Sequence, residues 1–339
     1  MMTGSKRPGP AGYTDDAAES HVPHDDRSHR KFESLIVRTR DIPAISTAVV
    51  WPDETHALEG PVEAARERII KPVLIGSPAR IRAVADTAGL DLGGCTIVDA
   101  LTQAQAAAAA INMVREGTVQ TLMKGSLHTD VLMHAVVSAD GGLRTSRRIS
   151  HVFLIATPGY PEILFVTDAA INIFPDLDCK RDIVQNAIDL HIGLGLGQPR
   201  VAILSAVEVI NSKIPSTTDA AVLCKMADRG QIAGGVLDGP LAMDNAVSPA
   251  AAKLKGIVSP VAGRAQILVV PDLEAGNMLA KNLIFMAGAD AAGIVLGARV
   301  PVILTSRADS AHVRLASVAI GALYAHHLAQ ENQKLGTAT

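Results

Sequence analysis

Short apolar runs alternate with segments of helical spacing along most of the chain. Ser46 to Trp51 is a short apolar run, and Pro61 to Ile70 follows at helical spacing. Lys71 to Gly76 reads as a strand stopped by a glycine turn, Pro78 to Ala88 as a helix with Pro in its first turn, and Cys95 to Val98 as another strand. The Ala-rich stretch Thr102 to Glu116 predicts a long helix, Thr121 to Met123 a strand, and Asp130 to Val137 a helix. Farther on, Val152 to Ala156, Ile163 to Thr167, Val201 to Leu204 and Gln266 to Val270 are strand-like, with helical spacing over Cys179 to Leu190 and Asp219 to Ala227. A last apolar run, Val300 to Leu304, precedes a helix-periodic stretch from Val313 to Leu328. Repetition of strand, helix, strand is the signature of a parallel sheet with right-handed crossovers, so the pattern predicts an open α/β fold.

Composition narrows the class. At 339 residues the chain exceeds one typical core, which makes two domains the expectation. Hydrophobic residues make up 48% and aromatics only 3%, the palette of buried strands packed against Ala-rich helices. A formal net charge of −3 carries no basic footprint for nucleic acid or an anionic membrane. No apolar run reaches membrane-spanning length without Gly, Pro or charge, so a soluble protein is expected. Residues 1–31 mix Gly, Pro, Ser, His, Asp and Arg without apolar periodicity and read as a disordered polar tail with no signal-peptide core. Cys95, Cys179 and Cys224 are odd in number, far apart and without metal-ligand spacing, which suits a reducing cytoplasm; each reads as a small buried hydrophobe.

Chemistry concentrates where predicted strands end and helices begin, the edge at which open α/β sheets place ligands. After Val300 to Leu304 comes Thr305-Ser306-Arg307-Ala308-Asp309-Ser310. Ser306, Asp309 and Ser310 are ordinary helix-capping types, but capping does not explain Arg307, which suits a bidentate clamp on an anion at the helix N-terminus. Lys124-Gly125-Ser126 has the same placement, as an anion-binding turn or an ordinary one. Arg144, Arg147 and Arg148 share a Gly-rich connection that either reads a multiply charged ligand or forms a wet face. Asp168, Asp272 and Asn277 lie at further strand ends, where capping is the commoner role. No Walker loop or early G-x-G-x-x-G is present, and Gly193-Leu194-Gly195-Leu196-Gly197 trails a helix, the wrong order for a dinucleotide turn.

Several ordered strings carry a resemblance. They are Met123-Lys124-Gly125-Ser126-Leu127-His128-Thr129, Gly142-Leu143-Arg144-Thr145, Thr167-Asp168-Ala169-Ala170-Ile171-Asn172, Asp238-Gly239-Pro240-Leu241-Ala242-Met243-Asp244, Val261-Ala262-Gly263-Arg264-Ala265, Pro271-Asp272-Leu273-Glu274-Ala275-Gly276-Asn277 and Ser306-Arg307. From about Lys71 to the C-terminal helix the chain resembles the phosphate acetyltransferase/phosphate butyryltransferase family, most closely the acyltransferase half of bifunctional enoyl-CoA hydratase/phosphate acetyltransferases. The resemblance implies two open α/β domains around a cleft, isocitrate/isopropylmalate dehydrogenase-like, divided as 32–147 plus 297–339 and 148–296, the second pairing a homodimer. It implies an acyl group exchanged between coenzyme A and phosphate, with CoA as substrate, no cofactor and no metal. Ser306 would donate to the tetrahedral intermediate and Arg307 would hold phosphate. Lys124, Gly125, Ser126, His128, Thr129, Arg144 and Asn277 would bind substrate.

Two positions depart from the acetyltransferase branch: Val313 stands where an Asp is expected, leaving Asp309 as the candidate base, and Met133 stands where an Arg is expected, a role Arg144 would take over. Acyl-chain length stays open between acetyl and butyryl. A decarboxylating dehydrogenase and a CoA- or phosphate-sensing module are the competing classes.

Overall fold

The computed structural model describes residues 26–139, 141–305 and 309–337. Helix α1 (Asp26–Arg38) comes first, followed by alternating β1 (Ile45–Val50), α2 (Thr55–Arg66), β2 (Ile70–Gly76), α3 (Pro78–Ala88), β3 (Thr96–Asp99), α4 (Gln103–Arg115), β4 (Thr121–Lys124) and α5 (Thr129–Val137). The middle of the chain supplies β5 (Ser150–Ala156), β6 (Leu164–Thr167), α6 (Leu177–Gly193), β7 (Arg200–Leu204), α7 (Pro215–Asp228) and β8 (Val236–Leu241). Two short helices, α8 (Met243–Val247) and α9 (Pro249–Leu254), lead to β9 (Ile267–Val269), α10 (Leu273–Met286), β10 (Asp290–Leu296), β11 (Val302–Leu304) and the long α11 (Ala311–Thr337).

Among the described residues, eleven strands join one sheet in the order β3-β2-β1-β4-β11-β10-β5-β6-β9-β7-β8. The sheet is mixed where the pattern predicts parallel: β5 runs antiparallel to both β6 and β10, and β10 antiparallel to β11. The reason is loop length, because the short connections 157–163 and 297–301 can close a hairpin but cannot carry a crossover helix. Gly297 turns the second hairpin at φ +85, with a backbone carbonyl of Arg148 where a side chain would begin. The last strand returns to pair with β4, so the C-terminal segment completes the sheet that β1 to β4 began.

Helix α1 begins at Asp26, inside the stretch that composition reads as a tail. Its apolar positions Phe32, Leu35 and Ile36 are buried, and α1 packs on α11. Lys31 adds a tie, its Nζ donating to the carbonyls of Thr157, at 2.6 Å, and Tyr160. Helix α2 starts earlier than its spacing suggests and keeps Pro61 inside, while Ile70 belongs to β2.

Alternation along the strands sorts the core into two faces. One face is covered by a single apolar cluster that runs the width of the sheet, from Val49 and Leu74 through Met123, Ile303, Ile294 and Val152 to Val269 and Ile203. The opposite face carries two separate clusters. Ala48, Val50, Leu122, Val295 and Val302 pack with α4 and α5, while Ile155, Leu164, Val166, Leu268 and Ala280 form the second. The boundary between these two layers falls on β11, β10 and β5.

Candidate active site

That boundary is a seam between the two covering clusters. Leu304 packs with the first cluster and Phe153 with the second, and in the register between them stands Gly293, which has no side chain. An added Cβ on Gly293 would lie 2.9 Å from Nε2 of His151 and 3.2 Å from the Leu304 carbonyl oxygen. His151, two residues before Phe153 on β5, is therefore folded over Gly293 on the same sheet face.

At the carboxyl end of β4 the turn into α5 forms one wall. Lys124 pairs with Val50, placing it on the same sheet face as the first of these clusters, and its Nζ donates to the carbonyls of Gly125 at 3.0 Å and Leu127 at 3.3 Å. The turn is pinned to the end of β1: Gly125 N–H donates to Val50 O at 2.9 Å and Ser126 N–H to Trp51 O at 2.8 Å. So close an approach admits only glycine, because a Cβ at 125 would overlap the Val50 and Trp51 carbonyls. The Ser126 hydroxyl is buried without a hydrogen-bond partner among the described residues. His128 stands at the N-cap of α5 without a side-chain cap bond, and both it and Thr129 are exposed. The first N–H groups of α5 therefore face outward beside a lysine, an arrangement that attracts anions.

A strap after β6 closes the other end. The Asp168 carboxylate accepts from the N–H groups of Ala170, Ile171 and Asn172 and from Asn172 Nδ2, over 2.6–3.1 Å. Ile171 reaches the first cluster, so the strap bridges the two layers. Asn277 on α10 donates from Nδ2 to the Ala169 carbonyl at 3.3 Å, and Gly276 leaves room for the Asp168 carbonyl against α10. Asp272 caps α10, as its residue type suggests, with Ala275 N–H donating to its Oδ1 at 2.9 Å.

Arg144 lies elsewhere than the sequence grouping implies. It bridges to Ala298 in the β10–β11 connection, and Leu143 N–H donates to Val136 in the last turn of α5. That is the amino end of β4 and β11, opposite to Lys124, and adjoins the strap through Asn172 Nδ2 donating to Ile149 O at 2.9 Å. Arg147 is paired with Asp189 at 2.5 Å. The predicted site residues Lys124, Gly125, Ser126, His128 and Thr129 are thus together, while Arg144 and Asn277 belong to the strap end.

Ser306 and Arg307 lie outside the described residues. The chain on either side of them is placed: β11 ends at Leu304, and Asp309 resumes half-buried ahead of α11. The Asp309 carbonyl accepts from Arg314 Nη1 at 2.5 Å, and Arg314 Nη2 donates to Glu59 on α2 at 2.8 Å. Ser310 caps α11, with Val313 N–H donating to its hydroxyl at 3.2 Å. Val313 and Met133 are both buried in the core. A cavity of about 660 Å³ between α2, residues 89–94 and the start of α11 holds none of the predicted site residues.

His151 is the residue that the sequence reading passes over. It is 2% exposed, its Nδ1 has no partner among the described residues, and burial lowers its pKa to about 4 against an opposing pull from Asp168. A lone His inside an apolar run gives no periodic signal, so only its placement over Gly293 marks it. The three cysteines are not activated: burial pushes Cys95 and Cys179 up to about 11 and Cys224 to about 12.

A family model described as "Phosphate acetyl/butaryl transferase" matches residues 101–322. A "Phosphate acetyltransferase" of Rhizobium meliloti is 62% identical over 296 residues, covering 87% of this chain and 93% of the relative. A "Phosphate butyryltransferase" of Clostridium beijerinckii is 38% identical over 296 residues, covering 87% and 98%. Among solved structures, a branched-chain phosphotransacylase from Enterococcus faecalis V583 superposes with a TM-score of 0.73 at 29% identity, over 84% of this chain and 99% of that one.

Proposed function

We propose, on the premise that this chain belongs to the phosphate acetyl/butyryl transferase family, that coenzyme A and an acyl phosphate meet at the seam between the two covering clusters, beside the turn from β4 into α5. The chain is an acyltransferase that moves an acetyl group reversibly between CoA and inorganic phosphate. The observation that carries this reading is the 62% identity to a phosphate acetyltransferase over 296 residues. A butyryl preference is the second reading, favoured by the 38% identity to a butyryltransferase across nearly that whole relative. One or two methylenes are separated only by pocket shape, worth roughly 1–3 kcal/mol each.

The chemistry asks for few groups. A CoA thiol, with a pKa of about 8.5 if it behaves like cysteine, loses its proton and attacks the acyl carbonyl. Charge then builds on the carbonyl oxygen and on the departing phosphate. In this proposal Ser306 donates to the oxyanion, Arg307 clamps the phosphate, and Lys124, Ser126 and the N-terminus of α5 lend positive potential at the same end of the sheet. Asn277 and Arg144 act from the strap end on the bound CoA. Reaction in a ternary complex uses no resident metal or cofactor, and much of the acceleration comes from holding the two substrates together. The two-domain division, 32–147 plus 297–339 against 148–296, and a homodimer in a reducing cytoplasm complete the proposal.

The test is phosphate-dependent thiol release from acetyl-, propionyl- and butyryl-CoA. Wild type should release thiol fastest with acetyl-CoA, and Ser306→Ala and Arg307→Ala should each lower kcat about 100-fold or more, the usual loss for an oxyanion donor. Phosphate-independent release, or full activity in both variants, would remove the assignment.

A further inference from the structure

We propose that the cavity of about 660 Å³ between α2, residues 89–94 and the start of α11 is a second ligand site, which takes a small zwitterion with an apolar body, an α-amino acid with an aliphatic side chain. The proposal goes beyond the acyltransferase reading and does not depend on it. Val62, Leu90 and Leu315 line the cavity, and all three pack against the single apolar cluster that covers one whole face of the sheet. The seam lies on the opposite face, so the two sites are separate.

Shape is the first argument. The volume falls within the range of about 300–1,000 Å³ common to small-molecule sites. Missing side chains keep the space open. A Cβ at Gly89 would meet nothing within 4 Å, and one at Gly94 would meet only the Ala65 Cβ, at 3.8 Å. On α2, Gly60 lets the stem of Arg314 lie against the helix, the place of its absent Cβ being 3.5 Å from Arg314 Cβ and 3.7 Å from Cδ. Arg314 is thereby packed into the cavity lining, where it is 7% exposed.

Charge is the second. Arg66 pairs with Glu63 at 2.6 Å and Arg314 with Glu59 at 2.8 Å, so these four lining groups cancel in pairs. Two demands are left over. Asp91 makes no ion pair among the described residues; its Oδ1 accepts the Gly93 N–H at 2.8 Å. Arg314 donates from Nη1 to the Asp309 carbonyl and from Nη2 to Glu59, while its buried Nε has no acceptor among the described residues. A buried donor without an acceptor is costly, and a carboxylate can take the Nε and Nη2 donors of one guanidinium in parallel bonds. Glu59, with 41% of its side chain exposed, can turn to water when a ligand shares Nη2.

These demands select the ligand class. A plain anion would meet Arg314 but face the carboxylates of Glu59, Glu63 and Asp91, and a plain cation would leave Nε unsatisfied. A carboxylate on Arg314 and an ammonium on Asp91 satisfy both, and an aliphatic body covers Val62, Leu90 and Leu315.

Calorimetric titration of the full chain tests this with four probes: L-leucine, 3-methylbutylamine, which lacks the carboxylate, 4-methylpentanoate, which lacks the ammonium, and glycine, which lacks the apolar body. Leucine should bind saturably and more tightly than each of the others, with its affinity unchanged by saturating CoA. Asp91→Asn keeps the Gly93 hydrogen bond but loses the charge, and Gly94→Leu fills the cavity. Each should weaken leucine about tenfold or more, the worth of a hydrogen bond to a charged group, while acetyl transfer between CoA and phosphate stays at the wild-type rate. Both positions are at the surface, and circular dichroism confirms the fold of each variant. Absence of saturable leucine binding would overturn the proposal, as would amine or acid binding as tightly as leucine, or wild-type affinity in both variants. Leucine binding that CoA abolishes would put it in the transferase site and overturn the proposal as well.

Discussion

At the scale of single residues, burial decides which groups carry charge. His151 titrates near 6.5 when unfolded and only near 4 when folded, with His191 lowered in the same direction by burial. Between those values the unfolded chain binds the proton and the folded chain does not, so stability rises with pH across that window. From pH 7 to pH 5 the His151 contribution should cost the folded state about 2 kcal/mol. Urea midpoints at the two pH values check it: His151→Gln should show a smaller drop than wild type, and an equal drop would mean that the imidazole is not what titrates. Residue types in the sequence do not reveal this, because the shift comes from what surrounds the ring. The cysteines were legible in part: none is activated, but only Cys179 is buried, while Cys95 and Cys224 are partly exposed.

At the scale of elements, the turn between β4 and α5 is the part of the site most dependent on one residue. Gly125→Ala would push a methyl group into the Val50 and Trp51 carbonyls and separate the turn from β1. It should destabilise by about 1–3 kcal/mol, the range for overpacking, and raise KM for CoA along with it. Denaturant titration and steady-state kinetics on the same preparation test this; unchanged values in both would show that the turn can shift freely. Strongly periodic elements such as α4 and α6, and the apolar runs of β1, β2 and β4, were readable from spacing because their own residues carry the signal. Strands β8 and β10 were not. Val236–Leu241 contains Asp, Gly and Pro, and Asp290–Leu296 contains Ala and Gly, so both take their strand character from the neighbours that pair with them.

At the scale of the whole molecule, several large apolar side chains are left at the surface. Phe174 beyond the strap and Phe285 and Met286 on α10 are 67–78% exposed, with Ile173 and Met278 nearby in sequence. Apolar surface of this kind favours the proposed homodimer. Light scattering should give twice the chain mass, and Phe174→Lys with Phe285→Glu should shift it toward the monomer; a monomeric wild type would remove the dimer.

The α/β class and the family were determined by the sequence, since period, turn chemistry and motif are local properties of the chain. Tertiary structure decided the rest. Antiparallel pairing at the centre of the sheet, Arg144 at the end opposite to Lys124, and His151 over Gly293 all depend on contacts between residues far apart in the chain. Strand order and register set those contacts, and neither is encoded in any one stretch.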